Sequence, residues 1–229
     1  MPGGAAYSRG APERMFKRSD LRLPPSDPAV APGPGMGDGD PTSAPRPHPV
    51  GHLTDLSRLP IRDRDGRLLM VVEAPAGSRL KLKYDPRLGA FTISRPLVLG
   101  LAYPFDWGFI PSTRASDGDA LDCMALGDAP TYPGVLIPCR AIGLARYTQD
   151  DPEGGKQAAR QRNDRVIAVP VDAPRWDQLT DARKLPTRIR EEIEAFFACA
   201  VLLEDKGLRF EGWDGPKAAD KAIREATLR

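Results

Sequence analysis

Cysteine is scarce in this chain. Three residues, Cys123, Cys139 and Cys199, are scattered over 229 positions, with no C-x-x-C pair. That excludes a disulfide frame and a cysteine-built zinc site, and it predicts reduced thiols in a cytoplasmic protein. Long apolar runs are also missing. No stretch approaches the roughly 18 residues that a spanning helix needs. The N-terminus shows no apolar core of a secretory signal, so no export is expected. Net charge is small, +2 at pH 7. So weak a field argues against nucleic acid or an anionic membrane surface as a partner. No internal repeat is visible.

What is abundant is proline, and it is unevenly placed. The first 50 residues hold 11 of the 25 prolines, in phrases such as "LPPSDPAVAPGPGMGDGDPTSAPRPHP". Such a segment cannot bury enough apolar surface to offset the entropy of ordering it. Residues 1–50 are therefore expected to be a disordered arm, and residues 51–229 the folded domain. With 28% charged and 41% hydrophobic residues, the chain has the apolar content for one core.

The folded part reads as short strands followed by helices. "RLLMVVEAP" is a strand ended by Pro75. "RLKLKYD" (79–85) alternates Leu80, Leu82 and Tyr84 with charged residues, the period of a half-buried strand. "PRLG" is a turn and "AFTISR" a further strand, so the segment reads as an antiparallel meander. "DWGFI", "ALDCMAL", "GVLIPCRAIGLARY" and "RVIAVPV" add more, punctuated by Gly and Pro. Many short strands of this kind predict a barrel. Near the end, Ile189, Ile193, Phe196, Phe197, Ala200 and Val201 follow steps of three and four, and "GPKAADKAIREATL" forms a second helix. The fold class is α+β, mainly β, with two C-terminal helices.

The segment "YPFDWGFIPSTRASDGDALDCMAL" carries the chemistry. Asp117, Asp119 and Asp122 fall within six residues. An Asp-Gly turn explains Asp117 by itself. It does not explain Asp122, which opens the apolar "CMAL", where a carboxylate is costly without a compensating cation. The spacing does not fit a calcium-binding helix–loop–helix. A site for a hard cation such as Mg²⁺, shared with substrate phosphates, fits the residue types. Glu73, Lys81, Arg95 and Tyr103 lie on or beside neighbouring strands and could complete it.

That segment resembles the signature of the soluble family I inorganic pyrophosphatases. "VVEAPAGSRLKLKYDPRLGAFTISR", "PGVLIPCRAIGL", "VIAVP", "PRW" and "EGW" continue the resemblance in order, over roughly residues 65 to 225. It implies a distorted five-stranded β-barrel of the OB type and Mg²⁺-dependent hydrolysis of pyrophosphate to two phosphates, with Mn²⁺ as an alternative metal. Carried over by position, Asp117 and Asp122 become metal ligands, Asp119 the base beside the attacking water, and Glu73 part of an acidic rim. Lys81, Arg95, Tyr103, Trp107 and Arg165 become contacts to phosphate.

The departures fall in the same site. Tyr and Glu of the family pattern are Leu82 and Lys83. A metal-binding Asp is Gln149, with Asp150 next to it as a substitute. The D-x-K that closes a lengthened loop is Asn163-Asp164-Arg165, with Asp164 as its replacement ligand. A Tyr-Lys pair that meets phosphate is Ala200-Val201. Family members also form homo-oligomers, although histidines common at that interface are Ala195 and Cys199 here. Two readings stay open: a working pyrophosphatase of reduced activity, or a retained fold that binds another phosphorylated ligand. A single-strand nucleic-acid barrel is disfavoured by the charge and the acids.

Overall fold

The computed structural model describes residues 54–150, 160–204 and 206–228. The proline-rich arm lies outside the described residues, as do positions 151–159 of the lengthened loop.

Nine strands form. They are β1 (Leu68–Ala74), β2 (Leu80–Asp85), β3 (Ala90–Pro96), β4 (Asp106–Phe109), β5 (Asp122–Ala125), β6 (Leu136–Gln149), β7 (Gln161–Arg162), β8 (Arg165–Pro170) and β9 (Arg209–Asp214). Two helices follow the same order, α1 (Thr187–Ala200) before β9 and α2 (Pro216–Ala226) after it. Five strands close a ring, β1-β4-β5-β8-β6, because β6 pairs with β1 as well as β8. All neighbours are antiparallel except β5 and β8, which run parallel. Closing the ring removes the free edges that would otherwise invite pairing with another chain.

Two expectations change here. The hairpin β2–β3 is a separate two-stranded sheet, not a continuation of a meander from β1. Strand β9 was not foreseen. It is largely exposed and carries charge, so its hydrophobic pattern is faint, and its partner β6 defines it.

The ring strands bury both faces. In β5 and β8, Cys123, Ala125, Val166 and Ala168 point into one apolar cluster, which α2 seals with Ala219, Ile223 and Ala226. Met124, Ile167 and Val169 point into the other, which α1 covers with Ile193, Phe196, Phe197 and Ala200. Burial on both faces is why these strands read as continuous apolar runs and not as alternation. Each Val, Leu or Ile so buried contributes about 1.5–3 kcal/mol. Strands β1 and β4 approach so closely at Gly108 that a Cβ there would sit 1.9 Å from the Val71 carbonyl oxygen. Only glycine permits that pairing, and the same two strands carry Glu73 and Trp107, which line the cleft described next.

Candidate active site

Backbone irregularities aim the charged residues. In the β1–β4 ladder Val72 faces Gly108 and Ala74 faces Trp107, so Glu73 is the extra residue of a bulge. Bulges re-aim side chains, and this one turns Glu73 toward a cleft. The β2–β3 hairpin has a second irregularity next to the Lys81–Arg95 pair. The acidic segment is a turn. Gly118 has φ +87°, a left-handed conformation that glycine adopts without strain, and the Asp119 amide donates to Asp117 Oδ1 at 3.2 Å. Asp122 then opens β5 opposite Phe109. The turn geometry is therefore real, and it serves to present acids.

These elements line a cleft of about 250 Å³. Glu73, Asp117, Asp119 and Asp122 share it with Lys81, Lys83, Arg95, Tyr103, Trp107 and Arg165. Of the residues singled out in sequence, Asp150 and Asp164 do not line it. Side chains alternate along a strand, so a one-residue shift faces the opposite side. Asp164 turns away, accepts the Tyr147 amide at 3.2 Å and pairs with Arg162. Asp150 pairs with Arg160. Gln149 and Asn163 point inward instead, and Asn163 Nδ2 donates to Gln149 Oε1 at 2.8 Å. Gln161 also lines the cleft and donates to the Ser116 carbonyl at 2.8 Å, tying this wall to the acidic turn.

The electrostatics are unbalanced group by group. Among the described residues, no ion pair within 4.0 Å includes Glu73, Asp117, Asp122, Lys81 or Arg165, whereas Lys83 holds Asp119 and Arg95 holds Glu204. Burial pushes the Glu73 carboxyl up to about 7, against the pull of the Tyr84 amide that donates to it at 2.9 Å. Burial likewise pushes Asp122 up to about 6, opposed by the charges of Arg165 and Lys81. Arg165 is 5% exposed, and its Nε and Nη1 atoms find no hydrogen-bond partner among the described residues. Aromatic rings hold it instead, with the Phe197 ring centroid 4.0 Å and the Tyr147 ring centroid 4.2 Å from the guanidinium carbon. Burial holds its pKa below the ordinary arginine value. Burial similarly lowers Lys81, and burial raises Tyr103.

A buried guanidinium with free donors calls for an anion, and a buried Glu73 beside a half-buried Asp122, both with raised pKa, calls for a cation. Among the described residues no three acids, histidines or cysteines close a cage of their own. The donor set still suits Mg²⁺, which keeps several waters and takes further ligands from phosphate.

The model of the inorganic pyrophosphatase family matches residues 70–229. The chain belongs to the inorganic pyrophosphatase family. It is 36% identical over 181 residues to an inorganic pyrophosphatase of Thermus thermophilus, covering 77% of this chain and 98% of that protein. It is 34% identical over 171 residues to that of a Synechocystis species, covering 75% and 96%. The crystal structure of inorganic pyrophosphatase from Thermus thermophilus superposes with a TM-score of 0.68 at 35% identity, covering 75% of this chain and 96% of that one.

Sequence reasoning missed three residues that line the cleft, Phe197, Gln161 and Lys206, and one that packs on Arg165 from behind it, Tyr147. The rings read only as core positions, and nothing in the pattern marks them as the seat of a cation. Gln161 and Lys206 lie in charged stretches without periodicity.

Proposed function

We propose that this protein hydrolyses inorganic pyrophosphate to two phosphates with Mg²⁺, Mn²⁺ being a substitute. One observation carries the reading: a buried Arg165 with unsatisfied donors shares a cleft with a buried Glu73 and a half-buried Asp122, neither of them in an ion pair among the described residues. A metal–diphosphate ligand satisfies all three at once. Asp117, Asp122 and Glu73 would hold the metal, which when bound neutralises substrate charge and acidifies water. Asp150 and Asp164 stay outside the proposed set.

The chain's own residues then divide the work. Arg165, Lys81 and Arg95 bind the phosphate oxygens and stabilise the charge that develops on the leaving phosphate. The aromatic wall of Tyr103, Trp107, Phe196 and Phe197 keeps bulk water from that side, and Phe197, Tyr147 and Trp107 fix Arg165. Asp119 takes the proton of the attacking water as the new P–O bond forms and the bridging P–O bond breaks. The departing phosphate carries the electron pair away. In the same reading the five-stranded ring is a distorted barrel of the OB type, the protein is cytoplasmic, and copies associate as a homo-oligomer.

Phosphate release from pyrophosphate by the full chain, with and without Mg²⁺, tests the proposal. Absence of release at every Mg²⁺ concentration would refute it. One observation favours a second reading, a fold that binds another phosphorylated ligand with little hydrolysis. Lys83 stands where the family pattern has an acid and occupies Asp119. Retained binding of a phosphorylated compound without phosphate release would select it.

A further inference from the structure

The positions at the end of α1 where the family pattern has a Tyr-Lys pair hold Ala200, its last residue, and Val201, its C-cap, which line the cleft without a polar atom on either side chain. A cation reaches the same part of the cleft from further along. Helix α1 ends at Ala200, and a turn follows in which the Glu204 amide donates to the Val201 carbonyl at 2.9 Å. Lys206 comes next and lines the cleft together with Lys81 and Arg95.

Its backbone is clamped by the end of β6. The Asp150 amide donates to the Lys206 carbonyl at 2.8 Å, and Arg160, paired with Asp150, donates to the Gly207 carbonyl. Gly207 has φ +50°, and a Cβ there would stand 2.0 Å from Asp150 Oδ2. The side chain is steered as well. Lys206 Nζ lies 2.9 Å from Glu204 Oε2, and the other Glu204 oxygen pairs with Arg95. Arg95 also donates to the Ala200 carbonyl at 2.7 Å. One carboxylate thus seats two cations at the edge left bare by Ala200 and Val201. After burial, the Lys206 charge is the largest influence that lowers the pKa of Lys81. Two ammonium groups crowded this way gain when an anion enters between them.

On the reading given above, we propose that Lys206 is a phosphate-binding residue of this site and takes the part of the side chains absent at Ala200 and Val201. Lysine suits the task, because a point charge on a four-carbon stem can follow a phosphate oxygen from a loop. Asp150 is then a positioning residue that acts through Lys206 and touches no substrate.

Hydrolysis of Mg-pyrophosphate by the full chain tests this. Lys206→Ala should lower kcat/KM by about 10- to 100-fold, the scale of one charge-assisted hydrogen bond, mainly through KM. Lys206→Gln should lose as much, and Lys206→Arg should recover most of it. The Lys206 side chain is partly exposed, and thermal midpoints of the variants should match wild type. Asp150→Ala should lower kcat/KM in the wild-type background and leave it unchanged in Lys206→Ala. A merely structural Asp150 would lower both. A value for Lys206→Ala within twofold of wild type would overturn the assignment. If wild type hydrolyses nothing, the parent reading fails, and calorimetry with imidodiphosphate decides Lys206 separately. Tenfold weaker binding by Lys206→Ala would keep the assignment. Equal binding, or none by wild type, would end it.

Discussion

Two walls of the cleft are built alike and charged differently. One is the turn into β5, with Asp117, Asp119 and Asp122. The other comes from the end of β6 and the start of β8, with Gln149, Asn163 and Arg165. On the first wall, acids crowd together and burial raises Asp122 to about 6. On the second, two amides stand where the family pattern has acids, and they satisfy each other at 2.8 Å. The amide pair needs no cation and the acid wall does. Function in this site follows the charges the fold leaves without a counter-charge, and the inward-facing polar positions alone do not reveal which those are.

The largest break in the comparison comes from emptying the first wall. Asp122→Asn removes a half-buried charge while keeping the shape. Turnover of Mg-pyrophosphate should fall by about 10² to 10³, the usual cost of losing one well-placed electrostatic group. Calorimetry should show Mg²⁺ affinity falling with it. Unchanged affinity would move the metal elsewhere. Arg165→Lys should come close behind, because a lysine cannot keep a planar fork against Phe197 and Tyr147. A fall in kcat/KM of about 10- to 100-fold is expected, read as a rise in KM for pyrophosphate.

Filling the second wall sharpens the contrast from the other side. Gln149→Asp with Asn163→Asp restores two acids where an amide pair now sits. Mg²⁺ affinity should rise about tenfold, the size of effect seen for groups that support a metal site. Without added metal, the same change should lower the thermal midpoint, since the new charges would share the cleft with Asp117, Asp119 and Asp122. A double variant with wild-type affinity and midpoint would show that the amides are not what sets this wall apart.

Proton linkage gives a smaller effect with a definite sign. Glu73 rises from 4.5 to about 7 and Asp122 from 3.8 to about 6 on burial. The folded state therefore binds protons that the unfolded state has released. Stability from these groups is complete below about pH 4 and is lost as pH climbs through 6 and 7. Metal-free protein should melt lower at pH 8 than at pH 5. Mg²⁺ should recover the difference, so its stabilising shift should be larger at pH 8 by at least about 3 °C, or roughly 1 kcal/mol for a domain of this size. Equal shifts at both pH values would mean that the metal does not compete for these carboxylates.

Much of this was legible in sequence. The core strands announced themselves through apolar runs such as "MVV" and "VIAV", and both helices through steps of three and four. The acid wall was legible because three aspartates next to an apolar strand conflict with burial. The second wall was not. Whether Gln149 or Asp150 faces inward depends on strand register, and a period of two makes neighbours opposite in fate. Lys206 was invisible for another reason. It follows a helix end in a stretch with no periodicity, and only the return of the chain beneath β6 brings it to the cleft. The bulge at Glu73 is likewise a property of pairing and not of the strand's own residues.

The finest test of the two-wall contrast concerns Lys83, which bridges toward the acid wall by holding Asp119. The pair is open to solvent, with side chains 42% and 62% exposed. Such pairs contribute about 0 to 1 kcal/mol, so Lys83→Ala should move the thermal midpoint by less than about 4 °C. The same figure limits the kinetic effect. If Asp119 must leave Lys83 before it can take the water's proton, removing the lysine lowers the barrier by no more than the pair was worth. The turnover should then rise, by about fivefold at most. Lys83→Glu goes further and returns the acid of the family pattern to the rim. Mg²⁺ affinity should rise in that variant and stay level in Lys83→Ala. A tenfold fall in kcat for Lys83→Ala would reverse the interpretation. It would mean that Lys83 meets the substrate itself, and that its contact with Asp119 is where the cation waits and not a brake on the base.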